Sequence, residues 1–441
     1  MKEKDFDVIV AGGGISGCFA ALAAAKAGAN VSIVESGDTV GGISVGGPLE
    51  AFMTFSDENG SISTAITDEF ISRLVKAGGS PGIIRDTVGY CRTIVPYDAE
   101  ILKKVLFGML EERKVHVFIN APVIGAEKNK RTIERIAVST KGKTAVLNAS
   151  AFVDATGDGN LASTIGASVM MGRQSDGKVQ PMTLLFLVAG VDTEKLKEYI
   201  LSNRDQFKMD WSIIEEEPQT LLHLWGFRKI LAEGYVGKRL SLLRSEIQAM
   251  ETVRPGEYII NYTRYNGDPL SKEDVSEGMR VTLRQAYELV EYLHDTTPGF
   301  SGVYIAKTGN LGIRESRRIM GPYVMQESDI LFSRQFDDSV ALGAFPIDIH
   351  QPDGNSLSCT TITKSYNIPS SCLISKDFDN MFMCGRCISA THEAMASTRI
   401  SATAMATGQA SGVMAAMYAE NPEAEFSDIL ERMRKIGATR L

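Results

Sequence analysis

Two groups of residues in this chain have types and spacings that could do chemistry. The first is Gly12, Gly14 and Gly17, a G-x-G-x-x-G run directly after the apolar residues 8–10, with Glu35 eighteen residues after Gly17. The first glycine permits a tight turn, the second lets a pyrophosphate approach the backbone, and the third lets a helix pack closely on a strand. An acid at the end of the next strand accepts hydrogen bonds from ribose hydroxyls and repels a 2′-phosphate. That is the chemistry of a dinucleotide site; the alternative is a glycine-rich turn with no ligand.

The second group lies near the other end. Cys384-Gly385-Arg386-Cys387 is followed by His392 and Arg399. His392 is the first candidate for moving a proton, against a structural role in the same place. Arg386 and Arg399 are candidates for an anionic ligand, with Arg314 next and His350 and Tyr366 weaker. Arg314, Glu315, Arg317 and Arg318 stand among apolar neighbours, and read either as an exposed ion-pair cluster or as guanidinium groups that grip carboxylate or phosphate oxygens. Cys384 and Cys387 form a C-x-x-C pair, but no second pair completes a zinc set, and a redox dithiol is the lesser reading. His223, Trp225, Arg264 and His294 read as packing or surface residues. Asp158, in the small-residue stretch 154–162, bonds a ligand, caps the helix that follows, or does both.

Elements of the right kind surround both groups. Residues 8–10 and 31–34 have the short apolar character of buried parallel strands, and residues 19–27, rich in alanine, form the helix between them. After Glu35 comes a glycine-dense stretch, 37–47, read as a loop laid against an extended cofactor or as a flexible surface loop. Residues 67–77 and 98–113 are helices; in the latter, Ile101, Leu102, Val105, Leu106, Met109 and Leu110 recur at helical spacing. Strands are expected at 115–120, 123–128, 133–139, 145–148 and 151–154. Residues 166–302 have a different texture, with strands at 182–188 and 257–262 and helices at 194–201, 221–232, 240–250 and 276–294. A strand at 381–384 and a helix of small residues at 400–418 return to the first pattern, and 421–441 is an amphipathic helix. The start of the helix at Ile400–Ser401 can stabilise negative charge on a ligand.

Composition narrows the classes. The 441 residues are enough for one to three domains. A net charge of −8 and no basic stripe argue against nucleic acid. No run of about 20 apolar residues spans a membrane, and the first strand follows Met1–Asp5 too closely for a signal peptide. Six scattered cysteines fit a reduced, cytoplasmic setting.

Residues 7–35, 154–162, the run from Arg314 to Arg318, and Gly385 to Glu393 together resemble the bacterial FAD-dependent oxidoreductases of the glutathione-reductase-like superfamily. Fumarate reductase and succinate dehydrogenase flavoproteins are its wider relatives. The resemblance implies an α/β fold: a Rossmann-like FAD-binding domain, with a parallel sheet, a crossover helix and a three-stranded antiparallel excursion, formed by 1–165 and 305–420. Residues 166–304 would be an inserted α+β substrate or cap domain. It implies FAD as cofactor, with the ADP half on Gly12, Gly14, Ile15, Ser16, Gly17, Glu35 and Ser36, and the adenine at the backbone of Val123. Ala155, Thr156, Gly157 and Asp158 would face the pyrophosphate and ribityl chain, with Gly385 and Arg386 beside them. Gly42, Ile43, Ser44, Ile400 and Ser401 would approach the isoalloxazine. Relatives of the fumarate reductase kind carry an Arg four residues after the His, then Gly-Gly-Asn-Ser; here Arg399 follows His392 by seven, and Ser397 to Ser401 replaces that run. A fumarate-binding arginine therefore does not carry over.

The expected function is hydride transfer between flavin N5 and a small, anionic metabolite, with His392, Arg399 and Arg386 as the catalytic candidates and no metal. A flavin-dependent reaction without net redox, or a flavin-binding subunit that needs a partner protein, are the alternatives. With no second G-x-G-x-x-G for NAD(P)H, reducing equivalents come from the substrate, a protein electron carrier or a visiting nicotinamide. A homo-oligomer is compatible with all three.

Overall fold

The computed structural model describes residues 4–49, 51–352 and 356–441. Its central sheet has seven strands. His116–Phe118, Val31–Val34, Lys4–Ala11 and Lys143–Asp154 lie side by side and parallel. Thr132–Thr140 and Val123–Asn129 continue the sheet antiparallel. Val8 and Val10 point into one core, with the helix Ile15–Lys26, while Ile9 and Ala11 point into another, with Leu161, Ile319 and Phe378. Both faces are covered, so these strands are continuously apolar and do not alternate.

Lys143–Asp154 joins the two parts of the sheet. Its beginning pairs with Thr132–Thr140, and its end pairs parallel with Met381–Met383, setting Asp154 beside Ala11 on one side and Met383 on the other. Residues 145–148 and 151–154, expected as two strands, are one, because the strand keeps its pairing to Lys4–Ala11 while its outer partner changes. The helix Ala99–Glu112 crosses over behind the sheet, its first turn held by Asp98, which accepts from Glu100 N and Ile101 N at 2.9 and 3.0 Å.

Ile15–Lys26 packs along Ser401–Glu420. A Cβ on Gly408 would lie 2.3 Å from Ser16 O, and one on Gly412 would lie 2.1 Å from Ala20 O. The long helix is buried on nearly every side over 403–417, which is why its sequence is small and apolar without an amphipathic stripe. Phe426–Ile436 lies outside it, with only Met433 and Ile436 buried.

A second, antiparallel sheet has the order His223–Gly226, Ile247–Glu251, Tyr258–Asn261, Phe186–Ala189, Tyr304–Thr308. The helix Lys272–Thr296 brings Ala286, Leu289 and Leu293 into a core with Phe186, Tyr258 and Ile260. Two expected helices are corrected here. Residues 221–232 form the strand His223–Gly226, a turn at Phe227 with φ +69°, and then the helix Arg228–Val236; residues 240–250 end in the strand Ile247–Glu251. Every residue of both strands is buried. A short, fully buried run carries no alternation, and its periodicity does not separate strand from helix.

This sheet is tied to residues 86–91 by His223. Thr87 Oγ1 accepts from His223 N and donates to His223 O, at 2.8 and 2.7 Å, and His223 Nδ1 lies 2.6 Å from Asp86 Oδ1. Among the described residues, no helix is long and apolar enough to cross a membrane.

The helix contact predicts two opposite outcomes. Gly412→Val forces a side chain into the Ala20 carbonyl and lowers the melting temperature, at a cost of about 1–3 kcal/mol or more. Gly108, within Ala99–Glu112, has open space where a Cβ would stand; Gly108→Ala raises stability by about 0.5–1 kcal/mol. Thermal unfolding of the two variants checks both.

Candidate active site

A cavity of about 760 Å³ runs from the Gly12 turn to the edge of the second sheet, within the size range of small-molecule and cofactor sites. The three motif glycines divide into two physical classes. Gly12, at φ +101°, and Gly17 serve close packing: a Cβ would lie 2.5 Å from Ala155 O at the first and 1.9 Å from Gly12 O at the second. At Gly14 a Cβ would meet nothing within 4 Å and would project into open space. Glu35 is held at the rim, Oε2 accepting from Gly13 N at 2.5 Å and Oε1 from Gly37 N at 2.6 Å.

The two long helices that start on this cavity are Ile15–Lys26 and Ser401–Glu420. Neither has a side-chain cap at its first turn, whereas Thr64, Asp98 and Ser271 cap other helices of the protein. Uncapped N–H groups and the positive ends of two helix dipoles therefore favour negative charge at this place.

Between them lies the end of Lys143–Asp154. Asp154 is fully buried and accepts from Thr156 N, Thr156 Oγ1 and Ala162 N at 3.0, 2.7 and 2.9 Å; burial pushes its carboxyl up from the usual range. It supports the helix Asn160–Ile165, the role open to Asp158 on sequence grounds. Asp158 instead accepts from Arg386 Nη2 and Ser316 Oγ, both at 2.6 Å. Burial opposes its ionisation, but the Arg386 charge and the Ser316 hydrogen bond outweigh it and hold the carboxyl below the usual range. Arg386 also donates to Ser316 Oγ and lies across Gly157, where a Cβ would stand 3.0 Å from Nη2. It belongs to the strand-end part of the cavity, away from the second sheet.

The far end is lined by Tyr90, Thr183, Gln248, Asn261, Arg314, Phe345, Asp348, His350 and Arg399. Arg314 and Arg264 both donate to Thr183 Oγ1. Arg264 Nη2 lies 2.8 Å from His350 Nδ1, His350 Nε2 lies 3.2 Å from Asp348 Oδ2, and Arg399 Nη2 lies 3.5 Å from the same oxygen. Burial, Arg314 and Arg264 hold His350 well below its usual pKa despite Asp348, so the ring is neutral. Burial disfavours the Asp348 anion, but His350, Arg399 and Arg314 more than compensate and hold it ionised. Arg399 and the Arg314 charge therefore both act on the one buried carboxylate of Asp348.

The expected cofactor residues meet on this one cavity, Gly17 excepted, as do Arg386 and Arg399. His392 does not line it. Its ring is buried, with Nδ1 2.7 Å from Glu315 Oε2, and Glu315 also pairs with Arg318 and accepts from Gln180 N. Burial raises the Glu315 carboxyl, but the His392 contact and the Arg318 charge bring it below the usual range. The run from Arg314 to Arg318 is thus no exposed cluster: Arg314 faces the far end, Ser316 and Arg317 hold Asp158, and Glu315 and Arg318 are buried behind them. Tyr366 bonds Ser397 and stays outside the lining. Cys384 and Cys387 are buried free thiols, the first pushed up to about 12 by burial, which makes them inert. Sequence reasoning missed Tyr90, Phe345 and Asp348. Asp348 had a signal, since it stands two residues before His350 on one strand and so on the same face.

The profile of the family described as FAD dependent oxidoreductase matches residues 7–434. The chain belongs to that family. In fold, this flavoenzyme is similar to p-nitrophenol 4-monooxygenase PnpA from Pseudomonas putida DLL-E4, with a TM-score of 0.50 and 11% identity over 99% of this chain and 85% of that one. It is similar to the flavin-dependent brominase Bmp2 to the same degree, TM-score 0.50 and 11% identity over 98% and 83% of the two chains. At such identities the likeness is one of fold. No curated protein matches the sequence. The protein is an FAD-dependent oxidoreductase, an α/β flavoprotein.

The glycine classes give a test. Gly14→Ala leaves the melting temperature of the apoprotein unchanged and cuts FAD occupancy, read from flavin absorbance per protein. Gly17→Ala lowers the apoprotein's stability itself, by about 1–3 kcal/mol.

Proposed function

We propose that this oxidoreductase transfers a hydride between FAD and a small metabolite that carries a carboxylate, held by Arg399 and Arg314. The observation that carries the reading is Arg399, a largely buried guanidinium on the far wall of the cavity, 3.5 Å from Asp348 Oδ2. Burying a guanidinium with an unused donor is costly, and an anion bound there satisfies it through a charge-assisted hydrogen bond. Arg399 Nε has no hydrogen-bond partner among the described residues, so it is left to donate to a carboxylate oxygen.

In this reading Gly14, Ile15, Ser16 and Glu35 hold the ADP half of FAD, Val123 the adenine, and Gly157, Asp158, Gly385 and Arg386 the pyrophosphate and ribityl chain. Gly42–Ser44 and Ile400–Ser401 adjoin the ring system. Bound FAD supplies two-electron hydride chemistry. Thr183 fixes Arg264 and Arg314 together, and neutral His350, hydrogen-bonded between Arg264 and Asp348, keeps both in place without adding charge. The seat of His392 behind Glu315 supports a scaffold role for it, holding the Arg314–Arg318 run in register with the helix His392–Thr398.

An anaerobic screen tests the proposal. A carboxylate metabolite bleaches the flavin, and its amide or methyl ester does not. Arg399→Met raises the KM of that substrate about tenfold to a hundredfold, the equivalent of a charged hydrogen bond of roughly 1.5–3 kcal/mol, with FAD occupancy unchanged. Bleaching by neutral compounds alone overturns the assignment. His392→Gln leaves the KM unchanged.

A further inference from the structure

Within reach of Arg399 and Asp348 stands a group that the carboxylate reading does not explain. Tyr90 is only 7% exposed and lines the cavity, and its buried hydroxyl has no hydrogen-bond partner among the described residues. A buried hydroxyl without a partner is costly and calls for an occupant. The Cys359 thiol beside it is a weak hydrogen-bonding group. The ring is fixed from both sides: Trp225 of the second sheet and Phe345 each meet it edge-on, with centroids 5.2 and 5.4 Å away and interplanar angles of 87° and 84°. Its loop is closed by the buried carboxylate of Asp86, which accepts from Val88 N and Cys91 N at 3.2 and 2.7 Å and contacts His223. This is a preorganised phenol. Burial pushes its pKa well above the usual value, Asp348 and Cys359 add to the rise, and Arg399 opposes it, so it stays protonated and is a donor.

Asp348 supplies the complement. Its Oδ2 is engaged by His350 and Arg399, but Oδ1 is buried and has no hydrogen-bond partner among the described residues. One end of the cavity is therefore lined by residues that hold an unpartnered donor, an unpartnered acceptor and two guanidinium groups. A carbonyl oxygen would satisfy the donor alone, and a hydrocarbon neither. A hydroxyl satisfies both, since it accepts one hydrogen bond and donates another.

We propose that the substrate is a hydroxycarboxylate, its hydroxyl held between Tyr90 Oη and Asp348 Oδ1 and its carboxylate on Arg399 and Arg314. Arg399 Nη2 and Asp348 Oδ2 lie 3.5 Å apart, so the two substrate groups are close, as in a 2- or 3-hydroxy acid. The assignment rests on the carboxylate reading above.

The test is calorimetric binding to the holoenzyme with its flavin kept reduced and anaerobic, a state in which a hydroxy acid has no hydride acceptor. The probes are matched pairs: lactate and propionate, malate and succinate, 3-hydroxybutyrate and butyrate, mandelate and phenylacetate. In at least one pair the hydroxy acid binds about tenfold tighter or more, the effect of one well-placed hydrogen bond. Tyr90→Phe, with FAD occupancy unchanged, reduces that preference to within about threefold and leaves the deoxy acid's affinity as it was; Asp348→Asn, which keeps the shape, also weakens it. Equal binding of both members in every pair overturns the hydroxyl assignment and leaves the carboxylate reading standing. No binding by any of the eight acids overturns both. A preference that survives in Tyr90→Phe removes the tyrosine from the site.

Discussion

The architecture depends on how closely two helices can approach. Ser401–Glu420 rests on the backbone of Ile15–Lys26, with Gly408 over Ser16 and Gly412 over Ala20. At that distance no side chain fits between them, and the two helix starts are brought to one place. Each start lacks a capping side chain, so the packing gathers two sets of unpaired N–H groups around a single cavity. A wider crossing would bury the same apolar area and lose the electrostatic site.

The strand Lys143–Asp154 makes the second half of the arrangement. It is in register with Lys4–Ala11 on one side and Met381–Met383 on the other. Segments far apart in sequence therefore end level with one another. Arg386 reaches Asp158 because Asp154 and Met383 are neighbours, and Ser316 joins them from a third segment. Glu315 serves as the hub behind this surface, gathering His392, Arg318 and the backbone of Gln180.

What was legible in the sequence follows from range. Gly12, Gly14, Gly17 and Glu35 act within one strand–helix–strand unit, where spacing determines geometry, and the parallel strands show as apolar runs. His392 and Arg399 are near in sequence, yet seven helical residues span about 10 Å along an axis; Arg399 reaches the cavity and His392 does not. The linkage from Arg264 through His350 and Asp348 to Arg399 was beyond sequence reading because it joins three distant segments. Tyr90 was hidden for the same reason, since its partners Trp225 and Phe345 are more than a hundred residues away. The strands His223–Gly226 and Ile247–Glu251 were misread because complete burial erased the alternation that identifies a strand.

The helix contact also orders events during synthesis. The glycine turn belongs to the first 20 residues, but the surface that Gly408 and Gly412 provide is translated about 390 residues later. At roughly 5–20 residues per second, the ribosome needs on the order of 20–80 s to span that interval. Throughout it, Ile15–Lys26 exposes the alanine face that the last long helix covers. The cavity is therefore complete only once residues 401–420 have been made, and a truncated product ending before residue 400 lacks one of its walls while keeping the whole Gly12–Gly17 turn.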